Sequence, residues 1–252
     1  MRKLILSISI AASLFGASLI SQKEFGLVQS VLPNTKISKV EHTLIDGLYA
    51  AFLPNGNVIY VYPYKRLIFF GEIYTNTGIN LTNKIKTAWK NKIQKERLKK
   101  INAEELLKNS FEIKFGKGSN KYEIVVFTDP ECPFCRRVDK FVKDKNITFH
   151  INYMPLYFHP HAKKWALEIL SSKNKKKAIE TIEKTNKDLN ITITKEAKKT
   201  LKATQALARK LGIRGTPTMF VIDTKTNKVI DVINGANIPK LQKWIEKDKE
   251  QK

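Results

Sequence analysis

The two cysteines of this 252-residue chain are spaced Cys-x-x-Cys, as Cys132-Pro133-Phe134-Cys135, and what flanks them limits the fold. Tyr122 to Phe127 is an apolar, strand-like run ahead of the pair. Behind it, Val138, Phe141 and Val142 recur at i, i+3 and i+4, the spacing of one helical face. Pro133 suits the first turn of that helix, where a missing N–H costs nothing. The order therefore predicts strand, tight turn, helix, with Cys132 at the helix N-terminus. Unpaired amides and the helix dipole there favour a thiolate. Cys135, one turn on, is close enough to close a disulfide. The stretch predicts a redox dithiol, Cys132 the exposed nucleophile and Cys135 the resolving cysteine, with exchange through a mixed disulfide.

Other uses of the motif are a structural disulfide or half of a zinc site. Zinc needs two more ligands, and besides carboxylates only His42, His150, His159 and His161 are available. His159-Pro160-His161 reads as a surface turn, so no metal is expected. Nor is a bound cofactor, since a redox-active disulfide carries the chemistry itself. Pro133, Phe134 and Asp129 are the expected tuners of the dithiol, with Arg136 and Arg137 adding positive charge nearby and Glu131 opposing it.

Lys and Arg number 46 against 23 Asp and Glu, a net charge of +23. The basic residues do not interleave with aromatics and no nucleic-acid-binding motif occurs, so the charge reads as solvated helical faces and no nucleic acid is expected. Met1-Arg2-Lys3 followed by the apolar run Leu4 to Ile20 reads as an export signal over residues 1–21, with Ala17 or Ser21 before the cut. An uncleaved membrane anchor is the alternative. Both place the body outside the cytoplasm, in a compartment where disulfides persist.

Along the chain, Phe25 to Leu32 predicts a short helix, and strand patches follow around Ile37, Val40 and Leu44 and over Tyr49 to Leu53. Pro54-Asn55-Gly56-Asn57 predicts a hairpin turn into alternating Val58, Tyr60 and Tyr62, and Leu67 to Phe70 is a further strand. Leu81, Ile85, Trp89 and Ile93 keep helical spacing in a thin stripe, as in a helix that bridges domains. Asn102 with Glu105 resembles a capping box. Phe111 to Phe115, Ile147 to Met154, Met219 to Ile222 and Val229 to Ile233 are strands. Ala162 to about Leu211 is helical with a break near Asn190, and Ile238 to Ile245 closes the chain as a helix. The reading is α+β: a small antiparallel β module over 22–79, a linker helix over 80–110, and a thioredoxin-like α/β domain over 111–252 with a helical insertion at about 162–211.

Val126-Phe127-Thr128-Asp129 ahead of Cys-Pro-Phe-Cys, the distant Arg214-Gly215-Thr216-Pro217 and the β-rich N-terminal module together resemble the periplasmic thiol:disulfide interchange proteins of the DsbC/DsbG family. The resemblance implies that Pro217 is cis and lies beside the dithiol, with Thr216 and Pro217 contacting substrate. It implies that the N-terminal module dimerises, giving a homodimer with a cleft for unfolded or misfolded exported proteins, and that a membrane redox partner recycles the dithiol. Two departures stand out. The second, structural disulfide of the family's insertion is missing, so the insertion is expected to rest on packing alone. Many thioredoxin relatives also place a buried acid six residues before the first cysteine, where this chain has Val126, so proton transfer to Cys135 falls to Asp129, a backbone group or water. Three functions stay open: a periplasmic disulfide isomerase or reductase, a dithiol oxidase, and a holdase chaperone that needs its cysteines little.

Overall fold

The computed structural model describes residues 19–251, so most of the expected export signal lies outside the described residues. Among the described residues no helix is long and apolar enough to cross a membrane. The chain divides into two compact units between Glu96 and Arg97.

In the first unit, Ser21 caps helix α1 (Gln22–Val31) with a capping box to Glu24. Strands β1 (Lys39–His42), β2 (Tyr49–Phe52), β3 (Val58–Tyr62) and β4 (Leu67–Phe69) form an antiparallel sheet in chain order. The β2–β3 turn depends on Gly56, whose φ of +87° is open to a residue without Cβ. Ala50, Phe52, Val58 and Tyr60 face Ile85 of helix α2 (Leu81–Leu98). Tyr49, Ala51, Ile59 and Val61 face Val28 of α1 together with Ile37 and Val40. A helix covers each face of the sheet, so Val58 to Val61 are all buried. Leu44 belongs to no strand. It sits in the connection after β1, 67% exposed.

The second unit holds a five-stranded sheet of order β5 (Phe111–Phe115), β7 (Ile147–Tyr153), β6 (Tyr122–Thr128), β8 (Thr218–Asp223), β9 (Lys228–Asn234). Only β6 and β7 run parallel. Central β6 is covered on both sides, which is why Ile124 to Phe127 are apolar without alternation. Ile124 and Val126 face Val138 and Val142 of α4 (Pro133–Val142) and Leu241 and Ile245 of α8 (Ile238–Lys249). Val125 and Phe127 face Leu106 of α3 (Ala103–Leu107) and Leu207 of α7 (Lys195–Lys210). Each such buried side chain stabilises by about 1.5–3 kcal/mol. Asn102 caps α3 by accepting from the Glu104 and Glu105 amides, while Glu105 turns outward to Lys210 at 2.6 Å.

The helical region contains a second break: α5 (Ala162–Ser171), α6 (Lys175–Thr185) and α7. Asn174 and Thr194 cap the later two, and Asn186 ends α6 in the left-handed conformation. These are short-range signals that a continuous helical reading passes over. The expectation that this insertion rests on packing alone is corrected. The buried Glu168 carboxylate accepts the amides of Leu189 and Asn190 at 3.0 Å each, and Asp188 accepts Trp165 Nε1–H at 2.8 Å. A second carboxylate tie had no sequence signal: Asp248 of α8 accepts the amides of Asn120, Lys121 and Tyr122 at 2.6–2.7 Å, anchoring the start of β6.

Candidate active site

At the end of β6 the chain turns on Asp129, whose side chain is wholly buried. Its Oδ1 accepts the amides of Glu131 (2.8 Å) and Cys132 (3.2 Å). Its Oδ2 accepts the Leu156 amide (2.7 Å) and His159 Nδ1–H (2.8 Å). One carboxylate thus shapes the loop into the dithiol helix and pins the segment after β7 beside it. Both oxygens are committed, so Asp129 is not placed to take the proton of Cys135. His159-Pro160-His161 lies in a turn with Pro160 and His161 exposed, as read from sequence; His159 alone is half-buried, held by Asp129, and His161 stacks on Trp165 with ring centroids 5.2 Å apart. Among the described residues no group of three metal-ligating side chains converges.

Cys132 is the N-cap of α4 and Pro133 occupies its first turn. The dithiol form is described, both sulfurs free. The expected exposed nucleophile is corrected here: Cys132 is 3% exposed and Cys135 1%. The loop before β8 covers Cys132, with Thr216 O 3.6 Å from its sulfur, and the Thr216–Pro217 peptide is cis. Among the described residues Thr216 Oγ1 is buried without a hydrogen-bond partner, and it is the Thr216 carbonyl that meets the Cys132 sulfur.

The two sulfurs are driven apart in acidity. The Cys135 thiol donates to Cys132, and with the amides of Cys135 and Phe134 it holds Cys132 down at about 5, against burial. Burial, followed by the negative charge of Cys132, pushes Cys135 far above an ordinary thiol, against donation from the Thr128 hydroxyl and the Asp129 amide. The arrangement yields an acidic sulfur ready at neutral pH, backed by a sulfur that keeps its proton.

The charged neighbours do other work. Arg136 Nε donates to Pro130 O (3.0 Å), and Arg137 lies over the Phe134 ring at 5.5 Å and donates to Ala236 O. Glu131, expected to oppose the arginines, accepts the His161 amide at 2.7 Å. Phe134, between the cysteines, is 56% exposed.

A strand–Cys-x-x-Cys–helix unit facing a Thr-Pro loop, behind a separate antiparallel module, finds its counterpart in two family models. The thioredoxin-like domain model matches residues 110–249, and that of the disulfide bond isomerase protein N-terminal domain matches residues 23–83. The chain belongs to the DsbC family of thiol:disulfide interchange proteins. A DsbC-type relative, the probable thiol:disulfide interchange protein DsbC of Bordetella avium, is 26% identical over 156 residues, 60% of this chain and 55% of that protein. The chain thus matches little more than half the length of that relative. A disulfide interchange protein from Neisseria gonorrhoeae is 25% identical, covering 56% of this chain and 96% of that one, with a TM-score of 0.47. The thiol-disulfide exchange protein alpha-DsbA2 of Wolbachia pipientis is 15% identical, covering 63% and 97%, with a TM-score of 0.48. For this DsbC-family chain, sequence reasoning missed Thr128, His159 and the carboxyl pair Asp139 and Glu183. Thr128 has a readable signal, a hydroxyl at the last position of the strand that feeds the dithiol.

Proposed function

We propose that the protein is a disulfide isomerase or reductase of the periplasm, acting on misfolded exported proteins through attack by Cys132 and resolution by Cys135. The observation that carries the reading is the split in acidity between two adjacent sulfurs, one held down at about 5 and the other pushed up. An acidic, readily leaving sulfur at Cys132 lets the mixed disulfide both form and reverse, which isomerisation requires. The match to an isomerase N-terminal domain favours this direction over simple oxidation. That module also supports a homodimer through its exposed, apolar edge strand β4. Substrate meets Thr216 and the exposed Phe134, since the Pro217 carbonyl already accepts the Gly235 amide at 2.8 Å. Asp129, Pro133 and Phe134 tune the couple by fixing the amides around Cys132. The redox-active disulfide is the only cofactor needed, a membrane partner re-reduces it, and nucleic acid has no part.

The depth to which Cys132 is held down also favours a second reading, a dithiol oxidase, because stabilising the reduced form makes the disulfide a stronger oxidant. Equilibration of the Cys132–Cys135 couple against glutathione separates them. Isomerase or reductase activity is expected with a potential below about −150 mV and recovery of a scrambled disulfide substrate; a value near or above that supports the oxidase. Recovery by Cys132→Ala equal to the wild type would leave only a holdase chaperone.

A further inference from the structure

Behind the dithiol, between α4, α6 and the sheet, lies a cavity of about 40 Å³. Its walls include Thr128, Asp139, Tyr153 and Glu183. Asp139 and Glu183 both line it, and two carboxyls brought together in so small a buried space avoid a costly pair of charges by sharing a proton. Burial raises both, Asp139 the more strongly, with the Glu183 charge adding to the effect of burial on Asp139. Arg136 offsets the remaining negative charge of the pair, and one of its amino groups, Nη2, is buried without a hydrogen-bond partner. Thr128, in the wall of this cavity, has its hydroxyl on Cys135. Cys135 is thereby connected, through one rotatable hydroxyl, to the space that holds a shared proton.

We propose that the Asp139–Glu183 pair is the proton store for Cys135, reached through Thr128. The inference deepens the exchange reading and rests on it. In a mixed disulfide, Cys132 is bonded to a substrate sulfur. Cys135 gives its proton to the Thr128 hydroxyl, which passes its own to a carboxylate oxygen of the pair, and 40 Å³ is room enough for a bridging water. The Cys135 sulfur then attacks Cys132. The Cys132–Cys135 bond forms, the bond to substrate breaks, and the substrate leaves as a thiolate that takes a proton from solvent. Electrons balance within the two disulfides, with no outside oxidant. When the internal disulfide is reduced again, the pair returns the proton. Asp139 and Glu183 are positioning residues, acting through Thr128. The other titratable or charged groups around them are Arg136 on α4 and Lys143 at its C-cap, Lys176 and Glu180 on α6, Tyr153 on β7, and the two cysteines.

Stopped-flow reaction of the reduced full chain with 5,5′-dithiobis(2-nitrobenzoate) tests this, because chromophore release has two phases. Attack by Cys132 gives the first and resolution by Cys135 the second. In Asp139→Asn/Glu183→Gln the ratio of second-phase to first-phase rate is expected to fall about a hundredfold near neutral pH, the scale of a lost general base. The second phase should also change its pH profile, tracking hydroxide instead of levelling off. Thr128→Val should reproduce the effect with both carboxyls in place. A ratio unchanged in both variants from pH 5 to 9 overturns the proposal. Should the double variant not fold, the wild-type infrared spectrum decides alongside Thr128→Val. A protonated carboxyl band that persists at neutral pH and shifts on oxidation supports the store, and its absence overturns it. A missing first phase in the wild type would overturn the exchange reading itself, and the store with it.

Discussion

The two sheets treat their edges differently. In the C-terminal sheet the outer strand β5 turns Glu112 and Lys114 to solvent, and a register shift at Val221/Ile222 twists the opposite edge pair; both devices discourage pairing with another chain. In the N-terminal sheet, β1 carries Lys39, Glu41 and His42, but β4 at the other edge is apolar and open. Leu67 is 49% exposed, Phe69 48% and Phe70, just beyond the strand, 80%. One unit is closed around a dithiol; the other leaves an apolar edge open to pairing. If chemistry and the proposed assembly are assigned to separate units, each should be breakable alone. Cys132→Ala should abolish disulfide exchange by at least about a thousandfold, the scale of losing a nucleophile, while the mass in sedimentation equilibrium stays that of the wild type. Loss of the assembly together with exchange would contradict the division. In reverse, Phe69→Asp with Phe70→Asp should weaken self-association at least about a hundredfold, as removal of apolar anchors at an interface does. The Cys132 rate with a small disulfide should not change. A wild-type chain already monomeric at micromolar concentration would sink the edge-strand argument.

The closed unit can be sharpened by pH. A free cysteine, with a pKa of about 8.5, alkylates about a hundredfold faster at pH 8 than at pH 6 because the rate follows its thiolate fraction. Cys132, held down at about 5, should alkylate at a nearly constant rate over that span and lose reactivity only as pH falls through about 5. The stability sign follows. Its folded value lies below its unfolded one, so the reduced protein gains stability over Cys132→Ser as pH rises from about 5 to the ordinary thiol range. That gain is complete above the range and is lost on acidification. A Cys132 profile parallel to that of a free cysteine would remove the acidic sulfur from the argument.

The same contrast explains what could be read from sequence. The dithiol, its strand and its helix were legible because period and turn chemistry are local: Val126-Phe127 run into the turn, Pro133 starts the helix, and Val138 and Val142 mark its buried face. Thr216-Pro217 was legible only through family resemblance, since nothing local says that a loop 84 residues away in sequence covers Cys132. The carboxylate ties were not legible at all. Glu168 and Asp248 sit on helices whose sequences are full of charge, and only the fold distinguishes a buried acceptor of backbone amides from its solvated neighbours. For the same reason Asp139 reads as one more polar position on α4 until α6 brings Glu183 to it. Burial also reversed one expectation: a helix N-terminus says where Cys132 sits, but not that another loop closes over it.

Those ties are also where the units differ in stability. Glu168→Gln keeps the size of the side chain but leaves one of the Leu189 and Asn190 amides facing an NH₂ group. It should cost the C-terminal unit about 2–3 kcal/mol, the scale of a charge-assisted bond lost inside a protein, read as a lower urea midpoint at constant slope. The corresponding tie of the N-terminal unit is weaker and wetter. Ser21 accepts the Glu24 amide and Glu24 reaches back to the Ser21 amide at 2.8 Å, both exposed. In a chain beginning at Leu19, Ser21→Ala should cost about 1 kcal/mol, the usual value of an N-cap, and only in the transition of the N-terminal unit. The C-terminal transition and the Cys132 rate should hold still. A shift of the two transitions together would mean that the units unfold as one, and that the separation of assembly from chemistry does not extend to their stability.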